Sequence, residues 1–389
     1  MRELWRAAQR GSAVRRAGAV GAVVLVLAGA GLAVAAPSAR SADQAGGVPW
    51  RLAGPGWSVV DYSAASLSGP TKSKLRFYLV SPQGRKYLFY VTPAATAFPE
   101  LTLLDWSGDR HRVLAYSDAG SSSTPTTVEQ ISLATGKVAS RFRLPANLNA
   151  DGYTRPRGHS MLAEGIDKPG IYRYGLTGRL QRVLARRTWL GILHVLDSPA
   201  GTFLVADGDR GMLRISNAGV ITGRTPVPHS SLCGPDRWWT ATTVLAGCFG
   251  RSPYGTERLW LVPAGGGAPK PLTPALRPHG LFEGYFDAWT LGRQLYLQAD
   301  NAHDTLSIVR QFADGTRRTI TVPGPAGVSD DIVTAYHRRL LLQSNIGPGG
   351  ASSLFWFNPV TRAEQYIFHA APGTYGVAGV LPYGYWNNS

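Results

Sequence analysis

An all-β fold built from repeated four-stranded units is what three features of this sequence predict. Short runs rich in β-branched and aromatic residues recur after residue 40, separated by clusters of Gly, Asn, Asp and Pro. The runs group at a spacing of about 40–50 residues, the range of four-stranded propeller blades. No stretch after residue 40 keeps a 3.6-residue apolar period. The expected architecture is therefore a β-propeller of seven blades, with six or eight as the alternative counts. A pair of β-sandwiches is the structural alternative, and a period of about 45 residues fits it less well.

The clearest unit runs from Leu232 to Pro274. Asp236 to Trp239 reads as its first strand and Thr242 to Ala246 as its second, rich in β-branched residues. Glu257 to Val262 alternates Leu259 and Leu261 against Trp260 and Val262. A Gly-rich turn, Ala264 to Ala268, leads to a short polar strand at Lys270 to Thr273 with prolines nearby. Proline donates nothing to a ladder, so this strand suits an outer edge. Both cysteines of the chain lie in this unit. Cys233 and Cys248 are equidistant from the expected first turn, so an antiparallel hairpin brings them opposite each other. A disulfide is expected there, in place of two buried thiols or part of a metal site.

The other units follow in order. LRFYLV (Leu75 to Val80) and KYLFYV (Lys86 to Val91) form a hairpin about Ser81 to Gly84. The first full unit has strands at Leu101–Trp106, Arg112–Tyr116, Thr127–Leu133 and Val138–Leu144. The next places strands at Ser160–Ala163, Ile171–Gly175 and Leu180–Ala185, after a first strand and the turn Thr154–His159. The third has Ile192–Leu196, Thr202–Ala206, Met212–Ser216 and Val220–Arg224, and the cysteine unit is fourth. Phe286–Thr290, Gln294–Gln298, Leu306–Phe312 and Arg317–Val322 make the fifth. Asp331–Tyr336, Leu340–Ser344, Leu354–Phe357 and Glu364–Phe368 make the sixth. Up to three strands are left at the N-terminal end and one, Tyr375–Gly384, at the C-terminal end. Joined, they complete a seventh blade, and closing the ring removes the sheet edge that a linear array would expose.

Residues 1–36 read as a signal peptide or N-terminal membrane anchor. Arg2, Arg6, Arg10, Arg15 and Arg16 precede an uncharged run from Ala17 to Ala36, and Ala33-Val34-Ala35 offers a small-x-small cleavage site. Cleavage is favoured, because so much Ala and Gly makes a weak anchor. Residues 37–48 form a polar linker, and 49–389 are expected to be a single propeller domain. The protein is accordingly placed outside the cytoplasm, secreted or held by residues 17–36. The chain carries +16 at neutral pH. Loss of residues 1–35 removes five arginines and one glutamate, so about +12 remains. Nucleic acid is a poor partner for an exported chain without a basic cluster. The expected partner is a protein or an anionic envelope polymer, bound by a monomer.

LWLVPAGGGAPKPLT (Leu259 to Thr273) resembles the repeat of TolB-like, WD-repeat-type propellers, in which a strand ends in a Gly-rich turn and then Leu-Thr. ISLATGK (Ile131 to Lys137), LVSPQGRKYLF (Leu79 to Phe89) and SIVRQFADGTRR (Ser307 to Arg318) are looser matches. The resemblance spans about residues 75–371 and implies an exported propeller; its motif is structural and implies no particular activity. The Asp-containing turns vary between units, and no separate domain precedes the repeats, unlike in TolB itself.

Motifs for chemistry are sparse. The chain has no G-x-S-x-G, no H-E-x-x-H and no P-loop. Its histidines are dispersed. No catalytic residue, cofactor or metal is assigned from sequence. Three loops hold metal- or anion-capable groups, Asp207–Arg210, Asp300–Asp304 and Thr154–His159, and each reads first as turn chemistry or a solvated loop. Trp238, Trp239, Trp260, Trp289 and Trp356 read as blade packing before a sugar platform. Asp105, Asp197, Asp236, Asp287 and Asp331 recur in or beside first strands, which line a propeller channel. The leading expectation is a non-catalytic binding scaffold. The alternative is a glycosidase or lyase, which needs two of these carboxylates converging at about 5–10 Å.

Overall fold

A computed structural model describes residues 47–66, 74–93, 101–117, 125–165, 170–185, 196–198, 200–207, 210–228, 231–250, 257–274, 284–300, 306–323, 328–346, 352–369 and 373–384. After a short 3-10 turn at Trp50–Leu52, every regular element is a β-strand. No helix among these residues is long and apolar enough to cross a membrane.

Strands β1 (Ser58–Ser66), β2 (Arg76–Val80) and β3 (Lys86–Val91) open the chain. Blade 1 is β4 (Thr102–Trp106), β5 (Arg112–Ser117), β6 (Thr127–Ser132) and β7 (Val138–Arg143). Blade 2 is β8 (Leu148–Tyr153), β9 (Ser160–Gly165), β10 (Ile171–Gly175) and β11 (Leu180–Ala185). Blade 3 is β12 (Leu196–Ser198), β13 (Thr202–Ala206), β14 (Met212–Ser216) and β15 (Ile221–Thr225). Blade 4 is β16 (Ser231–Thr240), β17 (Thr243–Gly250), β18 (Glu257–Pro263) and β19 (Lys270–Pro271). Blade 5 is β20 (Gly284–Leu291), β21 (Gln294–Asp300), β22 (Leu306–Gln311) and β23 (Arg317–Ile320). Blade 6 is β24 (Val328–Tyr336), β25 (Arg339–Ile346), β26 (Ser352–Phe357) and β27 (Glu364–Phe368). The last strand, β28 (Thr374–Pro382), pairs antiparallel with β1, so that β28-β1-β2-β3 is the seventh blade. The ring closes as the sequence predicts, with one C-terminal and three N-terminal strands. Within blades 1–6 the strands pair in chain order. Single parallel bridges, Glu257 to Gly284 and Ser352 to Gly376, link blade 4 to blade 5 and blade 6 to blade 7.

The order of burial explains the order of strands. The second strands are packed on both faces and carry runs such as Val113-Leu114-Ala115, Met161-Leu162-Ala163, Val244-Leu245-Ala246 and Leu340-Leu341-Leu342, all buried. Strands covered on both sides read as unbroken apolar runs and not as an alternation. The outer strands are mostly exposed. In β19, Lys270 and Pro271 make a two-residue edge strand that a further chain cannot easily extend. First strands of neighbouring blades touch one another around the centre: β4 with β8 and β28, β12 with β16, β20 with β24, and β24 with β28.

The cysteine hairpin differs in detail from its sequence reading. The first strand begins at Ser231, not Asp236, and Cys233 lies within it. Cys233 faces Cys248 in register and the two form a disulfide with Cα atoms 4.1 Å apart. Register shifts beside Asp236 and Trp239 move the turn to Thr240–Thr243 while keeping the cysteines opposed. The first strand of blade 2, left without bounds in the sequence, is Leu148–Tyr153; its NADG core has little apolar content to mark it. The strand expected at Ile192–Leu196 falls mostly outside the described residues, and β12 begins at Leu196.

Candidate functional site at the centre of the ring

The first strands of six blades share one irregularity. One extra residue sits against the second strand at Leu104, Asp151, Asp236, Phe286, Val333 and Ala378. Such a bulge bends the strand and re-aims the side chains beside it. Asp105 and Asp287 directly follow a bulge, and Asp236 is itself a bulged residue.

Asp105 follows its bulge. It accepts its neighbour's Trp106 N–H at 2.7 Å, the Tyr153 N–H of blade 2 at 2.8 Å, and Arg155 Nη2 at 2.8 and 3.0 Å. Arg155 is 3 % exposed and also donates to the Trp106 carbonyl at 3.0 Å. The Thr154–His159 turn therefore turns its first arginine inward to hold a blade, while Arg157 and His159 stay exposed. Asp287 occupies the equivalent place in blade 5. It accepts Ala288 N–H at 2.7 Å, Trp289 Nε1 at 2.7 Å and Arg237 Nε at 3.0 Å, the last from blade 4. Arg237 also stacks on Trp289, 3.7 Å from the ring centroid. Asp331 takes Gln298 Nε2 from blade 5 at 2.6 Å and Asn345 Nδ2 at 3.1 Å.

Two of the five differ. Asp197 is buried, its carbonyl accepts Trp238 Nε1 of blade 4 at 2.7 Å, and its Oδ1 has no hydrogen-bond partner. Burial pushes its carboxyl well above the usual range; Arg155 opposes the shift and Asp151 and Asp105 add to it. Asp236 is likewise raised, by burial and then by Asp287, and its Oδ2 lacks a partner. Asp287 is the carboxylate that adds to the rise at Asp236, yet both of its own oxygens are already engaged.

Asp61 is a further buried carboxylate, one that the pattern of its own strand does not single out. It faces Gly379, next to the bulge, on the second strand of blade 7. Blades 1, 2, 4 and 6 hold a leucine there: Leu114, Leu162, Leu245 and Leu341. Blade 5 holds Gln298. Asp61 accepts the Leu103 N–H of blade 1 at 3.4 Å and the Gly379 N–H of its own first strand. Gln298 Oε1 accepts the corresponding Ile332 N–H of blade 6 at 3.0 Å. Burial raises the Asp61 carboxyl to about 7 despite these amide donors. Aligning the repeats and noting a polar residue in a leucine column is the signal that finds both residues.

The remaining sequence candidates resolve simply. Asp207 pairs with Arg224 at 2.5 Å across blade 3; Gly208 and Asp209 lie outside the described residues, as does most of the Asp300–Asp304 loop. Trp238, Trp289 and Trp356 are buried between blades, while Trp239 and Trp260 are half-buried under Arg237 and Arg258. No three His, Cys, Asp or Glu side chains among the described residues are grouped to hold a metal ion.

No family model matches the sequence, and no curated protein matches it. Solved structures do. A "putative 6-phosphogluconolactonase" from Bacteroides uniformis superposes with a TM-score of 0.52 at 14% identity, covering 83% of this chain and 99% of that one. Its counterpart from Bacteroides fragilis gives 0.51 at 13% identity, over 83% and 98%. The β-propeller domain of the Trilobed protease from Pyrococcus furiosus gives 0.50 at 8% identity, over 80% and 95%. The fold is a β-propeller. At these identities the likeness extends to the fold and not to the chemistry. The Pyrococcus domain is described as having an open velcro topology; in this propeller β28 and β1 close the last blade.

Proposed function

We propose that this propeller is an exported, non-catalytic binding scaffold of TolB-like type, which holds a partner protein or an envelope polymer on its rigid ring. The observation that carries this reading is where the central carboxylates direct their hydrogen bonds. Asp61, Asp105, Asp287 and Asp331 each accept from a neighbouring blade. A glycosidase needs two carboxyl groups facing a shared gap with oxygens left for substrate, and three of the five channel aspartates are engaged in holding blades together. The TolB-like assignment rests on the strand, Gly-turn and Leu-Thr motif of Leu259 to Thr273. Export rests on the reading of residues 1–36 and agrees with the Cys233–Cys248 disulfide, a bond of oxidising compartments.

Crosslinking in the native envelope, followed by mass spectrometry, tests the scaffold. Recurrent crosslinks to one protein or one polymer are expected. Turnover of a glycan by the purified protein, abolished by Asp236→Asn or Asp287→Asn without loss of folding, would overturn the reading.

A further inference from the structure

Charge in this ring is sorted by radius. The seven first strands carry Asp105, Asp151, Asp197, Asp236, Asp287, Asp330 and Asp331 against a single arginine, Arg237. The seven outermost strands carry eight Lys or Arg residues and one acid, Glu364 in blade 6. From blade 1 to blade 5 every outer strand holds at least one exposed cation. Arg143, Arg182, Lys270 and Arg318, on blades 1, 2, 4 and 5, have no side-chain partner among the described residues. On blade 3 Arg224 is shared with Asp207. The turns leading into the outer strands add Arg85, Lys137, Arg179 and Arg362. Their one acid is Asp314, which is held by Thr316.

Edge strands are commonly blunted with charge, and that role is indifferent to sign. Here eight of nine have one sign, and five successive blades repeat it. A second observation marks where the arc begins. A cavity of about 510 Å³ opens between blades 7 and 1, lined by Tyr90, Thr92, Glu129, Arg141, Phe142 and Arg143 among others. Arg141 neutralises Glu129 at 2.6 Å, and Tyr90 donates to the same carboxylate at 3.2 Å. Arg143 is the charge left over at its mouth.

We propose that the basic rim of blades 1–5 binds a linear polymer with repeated anionic groups, carboxylate or phosphate, and that the cavity beside Arg143 receives one of its units. This deepens the scaffold reading and rests on it. The cations follow the curved wall of the ring, which a flexible chain can track, whereas a flat lipid surface meets only a few blades at once. At the centre Arg155 and Arg237 are buried against Asp105 and Asp287, so the exposed cations of the rim, and not the channel, are its path.

The test uses the full chain, with poly-L-glutamate, polyphosphate, neutral dextran and phosphatidylglycerol vesicles as probes. Either polyanion is expected to bind, with affinity falling as salt rises, and dextran is not. Removing four rim charges together (Arg143→Gln, Arg182→Gln, Lys270→Gln, Arg318→Gln) should weaken polyanion binding at least about tenfold. A control removes four exposed charges away from the outer strands (Arg51→Gln, Arg157→Gln, Arg293→Gln, Arg338→Gln) and should stay within about threefold. Equal losses in both variants, binding to vesicles alone, or no polyanion binding would each overturn the proposal. The length of the polymer after incubation separates the two readings. Shortened polymer sinks the non-catalytic scaffold and leaves the rim intact; full-length polymer with loss in the rim variant supports both.

Discussion

The innermost and outermost strands of the same blades carry opposite charge and use it differently. At the centre, carboxylates are buried or half-buried and reach across blade boundaries: Asp105 to Arg155, Asp287 to Arg237, Asp331 to Gln298. At the rim, cations such as Arg143 and Arg318 are exposed and have no side-chain partner among the described residues. The difference teaches where fold and function divide. A group desolvated inside the ring must be hydrogen-bonded or neutralised, so central charge is fixed by architecture. A solvated group contributes little to stability, so its sign is free to serve a partner. Substitutions at the two radii should therefore behave oppositely.

The largest effect is expected from Asp105→Ala. It leaves Arg155 buried without its carboxylate, and breaking such a pair costs roughly 3–5 kcal/mol. Urea unfolding measures it. A loss below about 1 kcal/mol would mean that the centre is as tolerant as the rim. Replacing both partners, Asp105→Leu with Arg155→Met, should recover much of the loss, because the penalty lies in the orphaned charge.

Asp61 gives the next effect, through pH. Its folded carboxyl titrates near 7, well above an unfolded aspartate near 3.9. The folded state therefore binds the proton more tightly. The contribution of Asp61 to stability is full below about pH 4, falls as pH rises towards 7, and is gone above that. Some three pKa units correspond to an upper bound of about 4 kcal/mol. Asp61→Asn should flatten this slope and raise stability at pH 8, as Gln298 already accepts the equivalent amide in blade 5. Identical slopes in the two proteins would show that Asp61 does not titrate as its burial implies.

The disulfide ranks third. It closes a loop of 15 residues, and its loss by Cys233→Ser with Cys248→Ser should cost about 3 kcal/mol. Reducing agent should lower the wild-type midpoint and leave the variant unchanged.

The unevenness of the sequence reading has the same radial logic. Middle strands were legible because packing on both faces demands runs such as Val244-Leu245-Ala246. The closure by β28 was legible because strands were left over at both ends. First strands were legible only in part, since their bulges break alternation and their content is polar, as in Leu148–Tyr153. The five channel aspartates were found as a recurring letter, but whether they bind a ligand or a neighbouring blade depends on partners about fifty residues away, such as Arg155 for Asp105. Asp61 was invisible strand by strand, because only comparison with Leu114, Leu162, Leu245 and Leu341 shows it to be out of place.

The smallest effect is the sharpest test of the division. Arg318→Gln removes an exposed cation from an outer strand, where substitutions generally change stability by less than about 0.5 kcal/mol. Unfolding midpoints should therefore coincide for this variant and the wild type. A larger loss would mean that rim charge, like central charge, is part of the architecture, and the even spacing of cations over five blades would then need no partner. A midpoint that holds while polyanion affinity falls would place Arg318 on the opposite side of the division from Asp105: two ionised residues in one ring, one kept by folding and the other by binding.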